Sequence, residues 1–272
     1  MNSGHPDPAE LLQESLEPVR ASLAHDGAAV VPNLVPEELC SDARAAIDGW
    51  LQQHGDDTAL RSGRDRGLLP LNQHPAFWAI REHAPIYDLF RGLLGTPFLW
   101  VTVDAGVHDP AGSRGSSDTL FGWEMDPRRD ERHLRGMLLL TDAEPGALTC
   151  VPHIFRRPDP WLSIYGLEPF PPTRIRDGEV LELGGSAGSL IIWDARLPTT
   201  RGPDALSRAR YAMLLAMDSE GDDERRAERV RNFEAGLPPA WCRHLPGQPE
   251  RGDWPAATLG TLGERLLGAR PW

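Results

Sequence analysis

Seven short segments of high β propensity follow one another between residues 98 and 217, and glycine and proline separate them. They are Phe98–Asp104, Thr119–Asp126, Leu134–Thr141, Ala147–Val151, Glu179–Leu183, Ser189–Asp194 and Arg210–Met217. Strands in series, with turn residues between them, favour antiparallel pairing. The segment therefore predicts a β-sandwich or barrel, because a sheet must bury its apolar face against another layer.

The chain before this β-rich part has a helical pattern. Apolar residues recur at helical spacing in Pro8–Leu23, Pro36–Leu51 and Pro75–Leu94, and Gly95 ends the last of these segments. Gly27–Val31 is typical of a short strand. Helices followed by strands predict a β core with helices packed on one face.

No internal repeat and no long linker divides the chain, so we predict one domain over residues 1–272. Its helical part covers about 9–95 and its β core about 97–217, and a charged helix with an irregular tail covers 218–272. Within that last part, Asp222–Phe233 places opposite charges three and four residues apart, which is typical of a solvated helix.

The charge composition excludes several classes of function. The formal net charge is −12, which argues against a nucleic-acid or anionic-membrane partner. All 28 basic residues are arginine. The absence of lysine excludes Schiff-base chemistry, a pyridoxal-phosphate lysine, a Walker A lysine and the kinase lysine.

The cysteines and the N-terminus favour a reducing compartment. Cys40, Cys150 and Cys242 are far apart and form no C-x-x-C pair, so neither a zinc site nor a disulfide framework is predicted. The polar segment Met1–Leu12 lacks the apolar core of a secretory signal, and no stretch approaches 18 apolar residues. We expect a cytoplasmic protein without a membrane partner, and the oligomeric state stays open.

One short motif, Gly184–Gly188, fits the G-x-S-x-G pattern of a nucleophile elbow. That motif needs a strand before the serine and a helix after it. Here the β-rich Leu190–Trp193 follows, so we interpret the motif as a glycine-rich connection between strands.

Several further motifs follow one another in a recognisable order. They are Phe98–Asp104, Trp123–Asp126, Gly146–Pro152, Gly188–Pro203 and Ser207–Arg210. Together they resemble the phytanoyl-CoA dioxygenase-like branch of the iron(II)/2-oxoglutarate-dependent oxygenases, over most of the chain. The resemblance implies a double-stranded β-helix, or jelly roll, that is mainly β with flanking N-terminal helices. It also implies an iron held by a His-x-Asp pair and a distal histidine, with an arginine that binds 2-oxoglutarate.

This chain departs from the family pattern at two of the three iron ligands. Glu124 stands where relatives have the first histidine, and Thr199 stands in place of the distal histidine. Asp126 matches the carboxylate ligand, and Arg210, eleven residues after Thr199, matches the 2-oxoglutarate arginine. Iron(II) favours imidazole, and a threonine hydroxyl is a poor ligand. We therefore expect no metal and no cofactor. The alternative is iron(II) with 2-oxoglutarate at an unusual site built on Asp126 and Glu124.

Three histidines lie near these motifs, and one of them, His153, could in principle replace a lost ligand. His153 follows Pro152, close to where relatives carry a histidine, but a surface or packing role is the simpler interpretation. His108 and His133 have no spacing relation to Glu124, so we predict that both are exposed residues of loops or strand ends.

Glu124 and Asp126 are the predicted catalytic pair. At positions i and i+2 of a strand, both side chains would enter one cavity. Two carboxyl groups in a dry cavity do not both ionise easily, so the pKa of one should rise. The alternative is that Glu124 pairs with Arg196 or Arg210 and stays ionised.

The predicted substrate- or anion-binding residues are Arg210, Thr199, Trp123, Trp193 and Arg196. A guanidinium can bind a carboxylate through two parallel hydrogen bonds, which suits Arg210 to an acidic ligand. The alternative is that Arg210 pairs with a structural acid such as Asp194.

Three functions are compatible with these residues. The first is a small-molecule tailoring enzyme that performs cyclisation, isomerisation or elimination by metal-independent acid–base chemistry. The second is an oxygenase with an unusual metal site, and the third is a non-catalytic ligand-binding protein. The sequence does not identify the substrate.

Overall fold

A computed structural model describes residues 8–57, 67–110, 120–176, 178–200, 209–219, 221, 223–240 and 256–272. Of residues 8–15 it describes the backbone alone. Cys242 and part of the predicted tail lie outside the described residues.

The helices of the described part lie mainly in the N-terminal third of the chain. They are α1 (Pro8–Asp26), α2 (Glu37–His54), α3 (Pro75–Arg81), α4 (Ala84–Leu94), α5 (Pro152–Arg156), α6 (Pro158–Tyr165), α7 (Asp223–Glu234) and α8 (Thr261–Leu267), with a 3-10 turn at Pro172–Arg174. None of them is long and apolar enough to cross a membrane.

The segment Pro75–Leu94, which the sequence predicted as one helix, forms two. Helix α3 ends at Arg81, and His83 is extended. Pro85 in the first turn of α4 has no N–H to continue the hydrogen-bond ladder of α3, whereas a proline is tolerated in the first turn of a new helix. Gly95 caps α4 at a φ of 71°, as expected.

The strands form two antiparallel sheets. They are β1 (Ala28–Val31), β2 (Leu68–Leu69), β3 (Leu99–Asp109), β4 (Leu134–Leu139), β5 (Ala143–Cys150), β6 (Leu181–Gly185), β7 (Leu190–Asp194), β8 (Thr199–Thr200) and β9 (Arg210–Ser219). The larger sheet has the order β1-β7-β4-β9-β3-β2 and the smaller has the order β6-β5-β8. Within the described residues no strand pairing joins the two sheets, so the protein is mixed α/β with open antiparallel sheets.

Both faces of the larger sheet are buried. In β7, Leu190 and Ile192 pack into an apolar cluster shared with the helices, whereas Ile191 and Trp193 pack into a second cluster shared with the smaller sheet. Side chains alternate along a strand, so a strand covered on both sides needs a continuous apolar run. The run Leu190–Trp193 meets that need.

The glycine-rich motif is a connection between strands, as its sequence context predicted. Gly184 and Gly185 belong to β6, and the chain turns at Ser186–Gly188 into β7. Gly188 has a φ of +83°, and a Cβ there would lie 2.2 Å from the Val35 carbonyl oxygen. The glycine is thus required by close packing against the β1–α2 loop.

A buried ion pair ties helix α3 to strand β3. Arg81 is 0% exposed, its Nη1 donates to the Asn72 carbonyl oxygen at 2.6 Å, and its Nη2 lies 3.0 Å from Asp104 Oδ2. Burial lowers the pKa of Arg81, and the Asp104 carboxylate opposes that shift. Two buried charges of this kind depend on each other.

We predict that Arg81→Met destabilises the fold by about 3 kcal/mol, because Asp104 then stays buried without its nearest guanidinium. Urea unfolding of Arg81→Met, Asp104→Asn and the double variant measures the coupling. We expect the double variant to be at least about 1 kcal/mol more stable than the sum of the single losses implies. Additive losses would show that the two groups act independently.

Candidate functional site

The segment that carries Glu124 and Asp126 is not the strand that the sequence predicted. Phe121 and Gly122 form isolated bridges with Phe170 and Thr199, and the regular pairing ends there. Beyond them Pro127 has no N–H to donate, and the chain turns, with the Arg129 N–H donating to the Asp126 carbonyl oxygen. The alternation that was to direct both carboxylates to one face is therefore absent.

Asp126 is held by its own neighbour. Arg128 Nε lies 2.9 Å from Oδ1 and 3.1 Å from Oδ2, and the Arg128 backbone N–H also donates to Oδ1. The side-chain hydrogen bonds from Arg128 lower the pKa of Asp126 to about 2, and its backbone hydrogen bond adds to the shift. For Asp126 the expectation of a raised pKa is therefore wrong, because a guanidinium stabilises the carboxylate.

Glu124 has two other partners. The Trp193 indole Nε1 donates to Oε1 at 3.2 Å, and Arg135 Nε donates to Oε2 at 2.9 Å. The carboxylate is thus fixed by a tryptophan of β7 and an arginine of β4. Its partner is neither Arg196 nor Arg210, the two that the sequence offered. The Glu124 side chain is 41% exposed, so its ion pair with Arg135 is open to solvent rather than enclosed in a cavity.

Arg210 is buried and already paired. Its Nε and Nη2 donate to Asp109 Oδ2 at 2.9 and 2.6 Å, and its Nη1 donates to the Ala147 carbonyl oxygen at 3.1 Å. A structural ion pair was the alternative for Arg210, and the structure shows one, with Asp109 in place of the expected Asp194.

The remaining predicted binding residues also have internal contacts. Arg196 forms a two-point ion pair with Asp194, at 2.9 and 2.8 Å. The Thr199 N–H and carbonyl groups pair with those of Gly122. Trp123 packs against Phe170 at a ring distance of 5.3 Å, in a separate apolar cluster.

These residues do not fit an iron(II) site. The two carboxylates that a metal would use are each bound by an arginine, Thr199 supplies no imidazole, and His153 lies 3.7 Å from Glu179 instead. Within the described ranges no three His, Cys, Asp or Glu side chains are grouped to hold a metal. The binding of 2-oxoglutarate by Arg210 would require displacement of Asp109.

A cavity of about 390 Å³ lies beside this region, at the end of the larger sheet under helix α7. We call it the α7 cavity. Its charged and polar lining includes Asp104, His133, Arg135, Asp218, Glu228 and Arg229. Its apolar lining includes Trp78, Val101, Met125, Phe233, Leu237 and Leu267. Such a volume, with apolar walls and a few polar groups, is typical of a small-molecule site.

Helix α7 is consequently not the wholly solvated helix that its charge pattern predicted. Its first turn is exposed, but Asn232 is buried and Phe233 packs edge-on against Trp78 at 5.6 Å. Gln73 Nε2 holds the end of the helix through the carbonyl oxygens of Asn232 and Leu237. One side of α7 therefore closes the cavity.

Arg229 reaches from α7 across the cavity wall. Its guanidinium lies 4.6 Å above the Trp100 ring. Burial lowers the pKa of Arg229 to about 10, although Asp104 and Asp218 oppose the shift. The guanidinium stays charged near neutral pH and is balanced by those two acids.

Sequence reasoning missed His133 and Asp218. His133 immediately precedes β4, and Asp218 lies near the end of β9. In the antiparallel β4–β9 pair, Gly136 faces Leu215, so the start of β4 lies beside the end of β9. The signal was therefore present as two polar residues at strand ends, but it needed the strand order to be interpreted.

We predict that Asp126 titrates near pH 2 and that Arg128→Gln raises its pKa part of the way to the ordinary value of about 3.9, because the backbone N–H of residue 128 still donates to Oδ1. Because the folded pKa lies below the unfolded one, the stabilisation is complete above the unfolded value and disappears as pH falls towards 2. Carboxyl-carbon NMR measures the titration. Arg129→Gln is the control and should shift it less. An unchanged midpoint in Arg128→Gln would contradict the assignment.

Comparison with known proteins supports the fold class. No family model matches the chain, and no curated protein matches it.

Among solved structures, the epimerase SnoN in complex with Fe3+, alpha ketoglutarate and nogalamycin RO is 18% identical, with a TM-score of 0.56 over 93% of this chain and 97% of that one. The non-heme monooxygenase ThoJ is also 18% identical, with a TM-score of 0.56 over 74% and 77%. GIG2 (DUF1479) from Candida albicans is 10% identical, with a TM-score of 0.75 over 94% and 77%. The chain thus shares the fold of structures that include an iron-bound epimerase and a non-heme monooxygenase.

Proposed function

We propose that this protein is a small-molecule tailoring enzyme that works by metal-independent acid–base chemistry on an oxygenase-type fold. The α7 cavity is the observation that carries the proposal, because it combines apolar walls with His133, Asp218 and Arg135. Cyclisation, isomerisation and elimination are the reaction classes that such groups serve, since each depends on the transfer of a proton from or to the substrate.

In this proposal the two sheets are the halves of a jelly roll of the phytanoyl-CoA dioxygenase-like type. The order of the sequence motifs supports it, as does the apolar cluster that the two sheets share. SnoN shows that a protein of this fold can be an epimerase. An isomerising reaction is therefore compatible with the scaffold.

The arginine partners support non-oxidative chemistry. Arg135 occupies one carboxylate oxygen of Glu124, and Arg128 binds both oxygens of Asp126. A guanidinium and a divalent cation compete for the same lone pairs, so each ion pair opposes metal binding. Glu124 then has a positioning role, because it holds Arg135 at the edge of the α7 cavity.

Two alternatives make different predictions. An oxygenase with a metal site on Glu124 and Asp126 would convert 2-oxoglutarate to succinate in the presence of iron(II) and oxygen. A non-catalytic binding protein would use the α7 cavity without transforming its ligand.

We predict that the α7 cavity binds 2-tetralone, an uncharged bicyclic ketone used here as a probe of an apolar site. Met125→Trp should weaken binding at least about tenfold by filling the cavity, because Met125 is a half-buried residue of its wall. Ligand-observed NMR measures binding. The matched control is Ile164→Trp, at a side chain that is 70% exposed and far from the lining.

The oxygenase alternative is tested on the same preparation. After anaerobic loading with iron(II) and exposure to oxygen and 2-oxoglutarate, we expect no succinate above the protein-free rate. Stoichiometric succinate formation would overturn the proposed function. An affinity for 2-tetralone that is unchanged in Met125→Trp would overturn it as well.

A further inference from the structure

The Asp218 carboxylate is the anchor of a polar cluster at the rim of the α7 cavity. Its Oδ1 lies 2.9 Å from His133 Nδ1, and its Oδ2 accepts a hydrogen bond from Thr102 Oγ1 at 2.9 Å. Arg135 Nη1 lies 3.7 Å from Oδ2. With its side chain only 15% exposed and both oxygens in contact with donors, Asp218 is a fixed hydrogen-bond acceptor.

A strand irregularity directs Thr102 to this carboxylate. The β3–β9 register shifts between Val101 and Val103, so Thr102 is an extra residue in β3. Bulges of this kind re-aim a side chain relative to the regular alternation. The bulge therefore places a hydroxyl donor against Asp218, which fixes the carboxylate plane.

Asp218 also determines which nitrogen of His133 is basic. Because the carboxylate accepts a hydrogen bond from Nδ1, the neutral ring carries its lone pair on Nε2. The nearest ionic group to Nε2 is Glu131 Oε2 at 3.7 Å, beyond hydrogen-bond distance. Since His133 lines the cavity, Nε2 is a proton acceptor at its wall.

Two of the three guanidinium nitrogens of Arg135 donate to protein acceptors. Its Nε donates to Glu124 and its Nη1 to the Leu134 carbonyl oxygen. Among the described residues none accepts a hydrogen bond from Nη2. This nitrogen is therefore the donor that can bind an oxygen of a molecule in the cavity.

Among the residues that the structure describes, the charged groups at the cavity and their ion-pair partners balance. The cations are Arg81, Arg135, Arg225 and Arg229, and the anions are Glu124, Asp104, Asp218 and Glu228. Because these charges already compensate one another, a ligand with a net charge would add a charge that has no counter-charge in the cavity. The apolar walls, which include Trp78 and Phe233, favour the same kind of ligand, an uncharged one.

We propose that His133 is the general base of the α7 cavity, that Asp218 is its positioning residue, and that the substrate is an uncharged, apolar carbonyl compound with an acidic C–H beside the carbonyl. The proposal rests on the proposed function. His133 Nε2 takes the proton, the C–H electron pair forms an enolate, and Arg135 Nη2 donates to the enolate oxygen. The imidazolium returns the proton to the carbon skeleton, so the product is an isomer or epimer and no other reagent is consumed.

Hydrogen–deuterium exchange at C1 of 2-tetralone tests this assignment directly. In D2O, proton NMR follows loss of the C1 signal with wild-type protein, His133→Gln, Asp218→Asn and the control His153→Gln, whose imidazole lies beside Glu179. Circular dichroism verifies the fold of each variant.

We expect exchange above the buffer rate with wild-type protein and with His153→Gln. His133→Gln should lower the maximal rate about 10²-fold or more, in the range of a lost general base, with an unchanged half-saturating concentration. Asp218→Asn should lower the maximal rate without changing that concentration, whereas loss of a merely structural contact would change both.

The outcomes separate the two levels of the proposal. If 2-tetralone binds without protein-dependent exchange, or if His133→Gln leaves the exchange rate unchanged, His133 is not the general base. The α7 cavity then remains a binding site. Failure of 2-tetralone to bind the wild-type protein overturns the proposed function together with the base.

Discussion

The long antiparallel pairing of β3 with β9 positions the Asp218 cluster at one end of the larger sheet and the Arg210–Asp109 ion pair at the other. It runs from Leu99 opposite Ser219 to Asp109 opposite Arg210. One end carries Asp218 and the bulged Thr102, and the other end carries the Arg210–Asp109 ion pair. A slip of one residue would turn every side chain to the other face, so a single register fixes both ends.

Arginine is the second constraint, because the chain has no other strong cation. Carboxylates at and near the positions where a related oxygenase would hold iron or 2-oxoglutarate are bound by guanidinium groups: Glu124 by Arg135, Asp126 by Arg128, and Asp109 by Arg210. Each pair satisfies a charge that a metal or an acidic ligand would otherwise compensate. Among the described residues, His133 Nε2 and Arg135 Nη2 have no hydrogen-bond acceptor or donor opposite them, and both residues line the α7 cavity.

Much of the fold could be predicted from local sequence. The apolar runs in Leu134–Thr141, Ser189–Asp194 and Arg210–Met217 form β4, β7 and β9. A continuous apolar run is typical of a strand that is buried on both faces, as these strands are. Of the predicted strand Thr119–Asp126, the described residues 120–126 form only isolated bridges at Phe121 and Gly122, since Pro127 and the Arg128 contacts to Asp126 favour a turn. The β propensity of the segment does not take account of the turn that these neighbouring residues favour.

The candidate site was harder to predict, because its walls come from β3, β4, β9 and α7. His133 has no spacing relation to Asp218 in the sequence, and only the β4–β9 register brings them to 2.9 Å. Three of the motif residues form ion pairs with partners outside the motifs: Glu124 with Arg135, Asp126 with Arg128, and Arg210 with Asp109. A family resemblance indicates positions, whereas ion pairing depends on residues that it does not cover.

We infer that arginine pairing opposes metal binding in this protein and that the α7 cavity carries the chemistry. The decisive experiment is a crystal structure of the protein grown anaerobically with Mn(II) and 2-oxoglutarate, with anomalous diffraction from manganese. We expect no manganese between Glu124 and Asp126, with Arg135 on Glu124, Arg128 on Asp126 and Arg210 on Asp109. A manganese ion bound by Glu124 and Asp126, with 2-oxoglutarate on Arg210, would contradict it.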